Sequence, residues 1–393
     1  MSSEVETTEQ IETDYQIPLY KKRDLALVRG EGVYLWDAEG RRYLDMMSNY
    51  GVAVLGHSHP AVTDALVEQA KTLLSCHQSF YNDARARFIQ VLERLLPDGL
   101  RRISFANSGA EAVEAGLKYA RAATGRSRII STKRGYHGRT IGALSVTGEP
   151  KHRGLFEPLL AGCEQVVYGD DAALASCIEG AAAFIVEPVQ GESGIRPAPP
   201  GYLERVRELC DQTGALLILD EVQTAFRTGR AWAWEHSGIQ PDIMALSKPL
   251  ANGLPIGVTV VADRVAGAIP PGSHGTTFGG NPLVCAAAAA TLEVLAGPGF
   301  NDHVAEMGTL FVERLRAIRN PLIREVRGAG LMIGVELKRN ASPVLQRMQM
   351  DGVLAIPAGS TAVRFLPPLI VEQEQVTQAA EVLERALQDV AAS

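Results

Sequence analysis

The sequence predicts an α/β fold, with a large domain built on a mostly parallel central sheet and a smaller α+β domain formed by the N- and C-terminal segments. Three observations predict it. Helical and strand patterns alternate from about residue 60 to residue 262. The segment Ala215-Leu216-Leu217-Ile218-Leu219 is apolar throughout, as expected of a strand covered on both faces. Past residue 296 the alternation gives way to two long helical patterns separated by short β segments.

In chain order, residues 1–19 are polar, rich in Glu and Thr and without a structural period, so a mobile arm or a strap against a partner is expected there. Residues 20–59 form the first part of the small domain. Within them, Val33-Tyr34-Leu35-Trp36 and residues 41–44 flank a turn ending in Gly40, the pattern of a hairpin. Residues 60–295 form the large domain, with helices at 61–74, 84–95, 110–123 and 202–213 and strands at 102–105, 128–131, 182–187, 215–220 and 257–262. The Ala-rich run 286–290 reads as a closely packed helix. Residues 296–393 complete the small domain: a helix at 300–318, β segments at 322–327, 331–337 and 362–365, and a terminal helix at 372–391.

A chain of 393 residues is long enough for two or three domains, each with its own core. The net charge of −7 and pI near 5.7 give no general attraction to nucleic acid or to an anionic membrane. The five cysteines are widely spaced, with no CxxC or Cys/His cluster, so neither a disulfide framework nor a metal site is indicated. The acidic N-terminus has no apolar leader, and no uncharged run reaches the ~18 residues of a membrane span; a cytoplasmic protein is expected. Of 38 basic residues only eight are lysines, which makes any lysine in an apolar setting worth a question.

Three short motifs carry chemistry. Asn107-Ser108-Gly109-Ala110-Glu111 follows a strand and opens a helix, where free N–H groups and the helix dipole suit a phosphate; an ordinary capped turn would read the same way. Asp220-Glu221-Val222-Gln223 stands where an apolar strand runs out, the edge at which open α/β sheets bind ligands, although a solvated strand-end acid is the alternative. Lys248 lies amid apolar and small residues (Ala245-Leu246-Ser247-Lys248-Pro249-Leu250), where desolvation lowers an amine's pKa and prepares it to attack a carbonyl; a surface lysine with a buried stem is the alternative. Phosphate turn, strand-end acid and buried lysine together describe a pyridoxal 5'-phosphate site.

These motifs, with Tyr136-His137-Gly138-Arg139-Thr140, Glu187-Pro188-Val189-Gln190-Gly191-Glu192 and Gly275-Thr276-Thr277-Phe278-Gly279-Gly280-Asn281-Pro282, resemble in order those of class III (ω-type) aminotransferases. The likeness spans nearly the whole chain and is greatest to the acetylornithine aminotransferase group. It implies fold type I and a homodimer with shared active sites. By this resemblance Lys248 holds the cofactor aldehyde and then moves protons, and Asp220 keeps the pyridine nitrogen protonated. Gln223 bonds the ring oxygen, Val222 and Tyr136 flank the ring, and Ser108, Gly109 and Ala110 hold the phosphate with Thr277 of a neighbouring subunit. On the substrate side it implies Arg139 for the far carboxylate, Arg364 for the α-carboxylate of glutamate, Glu192 to mask Arg364 when an ω-amine is bound, and Thr276. His137 is expected as a structural neighbour rather than a catalyst, and His57 and His59 in capping or packing roles.

The sequence departs from the family pattern at Tyr50, placed near the substrate entrance as in ornithine aminotransferases, in the shorter Thr224-Ala225-Phe226-Arg227-Thr228-Gly229 segment, and at Pro249 and Asn252 after the lysine. The C-terminal part resembles the branch that aminates semialdehydes attached to an acidic amino-group carrier protein. Such a partner needs a basic approach surface, for which Lys21-Lys22-Arg23, Lys133-Arg134 and Lys151-His152-Arg153 are candidates. The expected reaction moves a terminal amine from N-acetylornithine, or from carrier-bound lysine or ornithine, to 2-oxoglutarate, giving a semialdehyde and glutamate. Ornithine or 4-aminobutyrate aminotransferase, glutamate-1-semialdehyde aminomutase and a non-catalytic cofactor-fold protein are the alternatives.

Overall fold

A computed structural model describes residues 2–392; Met1 and Ser393, the outermost residues of the expected terminal segments, lie outside it. Its centre is a seven-stranded sheet in the order Leu100–Ala106, Gly257–Ala262, Ile243–Leu246, Leu216–Asp220, Ala183–Val186, Ile129–Thr132, Cys163–Val166. Gly257–Ala262 runs antiparallel to both of its neighbours, and the remaining pairs are parallel. Every residue of Leu216–Asp220, Ile243–Leu246, Ala183–Val186 and Ile129–Thr132 is buried, which is why Ile243–Leu246, Ala183–Val186 and the first four residues of Leu216–Asp220 read as unbroken apolar runs.

Helix Gly109–Thr124 lies against this sheet through Ala112, Val113, Ala115 and Gly116. A Cβ on Gly116 would come within 3.3 Å of Ile243, so glycine allows the close approach. Gly125, left-handed at φ 67°, ends the helix in the usual way. The Ala-rich run lies inside helix Pro282–Leu295, whose start is capped by Asn281 accepting from the Val284 N–H at 3.0 Å. No single helix is long and apolar enough to cross a membrane among the described residues.

The two ends of the chain share a second sheet. The hairpin strands Tyr34–Asp37 and Arg42–Asp45 pair antiparallel, Leu27–Glu31 adds to one edge, and Val353–Leu354 pairs parallel to Arg42–Asp45 at the other. A third, antiparallel sheet runs Ile323–Ala329, Met332–Leu337, Ala362–Phe365, Ile356–Ala358. In it Gly334 faces Arg364 across the ladder, and a Cβ on Gly334 would stand 2.7 Å from the Gly194 carbonyl. The strand carrying Arg364 is thereby packed under the loop carrying Glu192. The segment expected as an arm without structure contains a helix, Ser2–Tyr15; its side chains from Thr8 onward are exposed, and those residues offer no buried face to set a periodic signal.

Candidate active site

The carboxyl ends of the parallel strands converge on one cleft. Ser108 caps helix Gly109–Thr124 by accepting from the Glu111 N–H at 3.2 Å, while the Glu111 carboxylate accepts from the Asn107 N–H at 2.6 Å. This reciprocal cap leaves the first amides, those of Gly109 and Ala110, ahead of the helix's own hydrogen-bond ladder. Asn107 also donates to the Thr276 hydroxyl at 2.8 Å. A Cβ on Gly109 would lie 2.8 Å from Val222, and one on Gly257, in the neighbouring strand, 2.1 Å from the Ser108 carbonyl. Gly257→Ala is therefore expected to displace the Ser108 turn and weaken cofactor retention at least about tenfold, since overpacking against backbone cannot relax cheaply; equilibrium dialysis against free cofactor measures it.

Asp220 ends the central strand and is buried. Its carboxylate accepts from the Val222 N–H at 3.0 Å and lies 2.7 Å from His137 Nδ1. Burial alone would lower the His137 pKa, but the bond and charge of Asp220, with Glu187 beyond, raise it. His137 is thus a buried partner of the acid. Glu187 accepts from the Tyr136 and Gly191 N–H groups at 2.9 and 3.1 Å, and burial raises its pKa. Glu221 points the other way, accepting from the Trp234 N–H at 3.1 Å and from the Thr224 hydroxyl; burial raises it to about 7. A carboxyl raised on folding stabilises fully below its unfolded value, and that contribution is lost as pH climbs through about 7. Glu221→Gln is therefore expected to gain on the parent protein as pH rises from about 4.5 to 7, by on the order of 3 kcal/mol, read as melting temperatures across that range.

Lys248 opens the turn after strand Ile243–Leu246 and faces a cavity of about 630 Å³ shared with Tyr50, Tyr136, Arg139, Glu192 and Tyr20. Burial lowers its amine pKa; Arg364 adds to this, while Glu192, Asp220 and Glu187 oppose it. Asn252, a departure from the family pattern, staples this turn down. Left-handed at φ 44°, it accepts from the Leu55 N–H at 2.8 Å and donates to the Gly56 carbonyl at 2.9 Å.

Arg364, fully buried, donates to both carboxylate oxygens of Glu192 at 2.7 and 3.2 Å. Burial would push Glu192 up, but Arg364 holds it at about 2. The Tyr50 ring lies 5.7 Å from the Arg364 guanidinium on a left-handed turn, Ser48–Gly51, with φ of 39°, 50°, 59° and 87°. For non-glycine residues this conformation costs about 1–2 kcal/mol each, and such strained turns cluster at functional sites. Arg139 is exposed at the cavity, its Nε 3.2 Å from the Tyr136 hydroxyl, with no carboxylate partner among the described residues. Thr276 meets Asn107, whereas Thr277 is exposed and does not line this cavity.

Lys248, Glu192, Tyr50, Tyr136 and Arg139 are thus brought to one cavity, with Asp220 and the Ser108–Ala110 turn at the strand ends. Sequence reasoning missed the His137–Asp220 pair and the carboxylate of Glu187; both lie inside motifs already singled out. His57 bonds Asp45 at 2.7 Å, a packing role. His59 begins helix Pro60–Ala70 without a side-chain cap, because its ring does not reach the helix amides.

The sequence profile described as aminotransferase class-III matches residues 18–387. The chain belongs to the class-III aminotransferases. It is 47% identical over 384 residues to the LysW-aminoadipate semialdehyde transaminase of Deinococcus radiodurans, covering 96% of this chain and 90% of that one. It is 42% identical over 377 residues to the acetylornithine aminotransferase of Methanopyrus kandleri, covering 95% and 97%. The ornithine aminotransferase of Toxoplasma gondii, in a structure with PLP at partial occupancy in its active site, superposes with a TM-score of 0.94 at 33% identity, covering 98% of this chain and 95% of that one.

This class-III aminotransferase has the fold type I architecture and uses pyridoxal 5'-phosphate. Its own residues suit that group. The amides that open helix Gly109–Thr124 offer an anion site, and Asp220 supplies a buried carboxylate beside them. Gln223 is buried beside the Gly191 backbone, and its Oε1 has no hydrogen-bond partner among the described residues.

Proposed function

We propose that this aminotransferase moves the terminal amine of N-acetylornithine, or of lysine or ornithine attached to a small acidic carrier protein, to 2-oxoglutarate, in arginine or lysine biosynthesis. The products are a semialdehyde and glutamate. The observation that carries the reading is the Glu192–Arg364 pair near Lys248, with Arg139 at the same cavity and without a carboxylate partner among the described residues. An ω-amine donor has one carboxylate, far from the reacting amine, and Arg139 takes it bidentately while Arg364 stays paired with Glu192. Glutamate brings a second carboxylate next to its amine; this one displaces Glu192 from Arg364. A single cavity then serves both half-reactions.

Bound pyridoxal phosphate supplies an aldehyde that receives the amine and a ring that takes up charge from the substrate carbon. Asp220, fixed by His137, would keep the ring nitrogen protonated, Gln223 would meet the ring oxygen, Val222 and Tyr136 would flank the ring, and the Ser108, Gly109 and Ala110 turn would hold the phosphate. Lys248, its amine pKa lowered by burial, would be the base and acid that moves the proton on the substrate carbon. Thr277, exposed on this chain, completes the phosphate site of a second copy, so the working unit is a homodimer in the cytoplasm.

The names of the relatives support both substrate forms. Exposed Lys151 and Arg134 at the cavity mouth favour an acidic carrier, because complementary charge speeds and orients encounter. The test is single-turnover spectroscopy of the holoenzyme with N-acetylornithine, carrier-bound lysine, ornithine, 4-aminobutyrate and glutamate. The expected result is conversion of the cofactor to its amine form by glutamate and by one of the first two donors. Conversion by ornithine or 4-aminobutyrate at a rate above both would overturn the substrate assignment.

A further inference from the structure

Arg227 takes no part in the chemistry described above, yet it is fully buried and has no carboxylate within ion-pair distance among the described residues. Burying an unpaired guanidinium is costly, and an apolar side chain of similar length would fill the space without that cost. Its contacts show what the cation does instead. Nη1 donates to the Pro367 carbonyl at 2.8 Å and Nη2 to the Ser48 hydroxyl at 2.8 Å. Ser48 in turn donates to the Leu366 carbonyl at 2.6 Å. A Cβ on Gly51 would stand 3.2 Å from Arg227 Nε, so the guanidinium lies against the left-handed turn itself.

Leu366 and Pro367 directly follow the strand Ala362–Phe365 that carries Arg364, and Ser48 and Gly51 bracket Tyr50. The guanidinium therefore ties together the two pieces of chain whose side chains, Tyr50 and Arg364, stand 5.7 Å apart. We propose that Arg227 is a positioning residue for the α-carboxylate site: it clamps the strained Tyr50 turn to the exit of the Arg364 strand and sets the gap in which glutamate is held. The proposal rests on the reading of Arg364 as the α-carboxylate residue. It assigns a specificity role to the short segment after Gln223, which does not line the cavity.

The test compares the two half-reactions in folded, cofactor-loaded protein: glutamate, which needs Arg364, and N-acetylornithine, which does not. Arg227→Met and Ser48→Ala are expected to raise the glutamate concentration for half-maximal rate at least about tenfold, as small misplacements of positioning groups do. The N-acetylornithine half-reaction should stay within about twofold in both variants. Arg227→Lys, which keeps the charge but not the forked donor, should fall between. If Arg227→Met fails to load cofactor, Ser48→Ala decides the question. Equal loss of both half-reactions, or loss of neither, would show a plain structural brace and overturn the proposal. Arg364→Ala in the same assay separates the two readings. If it spares glutamate, the underlying assignment of Arg364 is wrong; if it removes glutamate turnover while the Ser48 and Arg227 variants do not, only the clamp is wrong.

Discussion

Lys248→Ala is expected to abolish transamination, lowering kcat by at least about 10⁴-fold, the upper range for loss of a general acid–base group, with loss of the covalent hold on the cofactor added. Glutamate and the ω-amine donor should both leave the variant's cofactor spectrum unchanged over a normal turnover time. Lys248→Arg should be as inactive, because a guanidinium stays protonated and forms no imine. Stability should move little. Lys248 has no ion-pair partner within bonding distance among the described residues, and burial opposes its charge, so removing it relieves a desolvation cost. Melting of the cofactor-free variant at or above the parent's temperature, beside a dead active site, would separate chemistry from folding. A variant that retains more than a few per cent of activity would refute the role of Lys248.

How far the sequence could be read depended on what each residue buries. Leu216–Asp220 and Ala183–Val186 are covered on both faces, so their apolar runs announce strands. Cys163-Glu164-Gln165-Val166 lies at the sheet edge with only Val166 buried, and it carried no such signal. The two-residue strand Val353–Leu354 acquires its identity from pairing with Arg42–Asp45, across some three hundred residues that no local pattern spans. The site shows the same division. Lys248, Asp220 and the Ser108–Ala110 turn declare themselves by residue type and position at strand ends. The His137–Asp220 bond joins positions 83 apart and the clamp from Arg227 to Ser48 positions 179 apart, contacts that only the packed fold creates. Asn252 departs from the family pattern, but its two bonds to Leu55 and Gly56 turn a substitution near Lys248 into a brace for its turn.

The Arg364–Glu192 pair predicts opposite effects from its two halves. Arg364→Ala is expected to slow the glutamate half-reaction by about 10²–10³-fold, in line with removing one partner of a desolvated charge pair, and to slow the ω-amine half-reaction far less. It should also cost stability. Glu192 is held at about 2 by Arg364, so its stabilising contribution is complete above its ordinary unfolded value and disappears as pH falls through about 2. At neutral pH the ionised Glu192 therefore contributes on the order of 3 kcal/mol, shared among Arg364, Lys248 and Gln223, and the single variant forfeits the Arg364 share by leaving a carboxylate without its cation. Glu192→Gln removes the mask instead. An unmasked Arg364 should lower the glutamate KM by about tenfold, the worth of one charge-assisted bond, while the donor with an ω-amine loses its advantage. Combining the two changes should recover part of the stability lost in Arg364→Ala, because the stranded carboxylate is gone, but none of the glutamate turnover. Melting curves and half-reaction rates on the three proteins distinguish a gate from an ordinary ion pair: in an ordinary pair both single variants would weaken glutamate, and in a gate only one does.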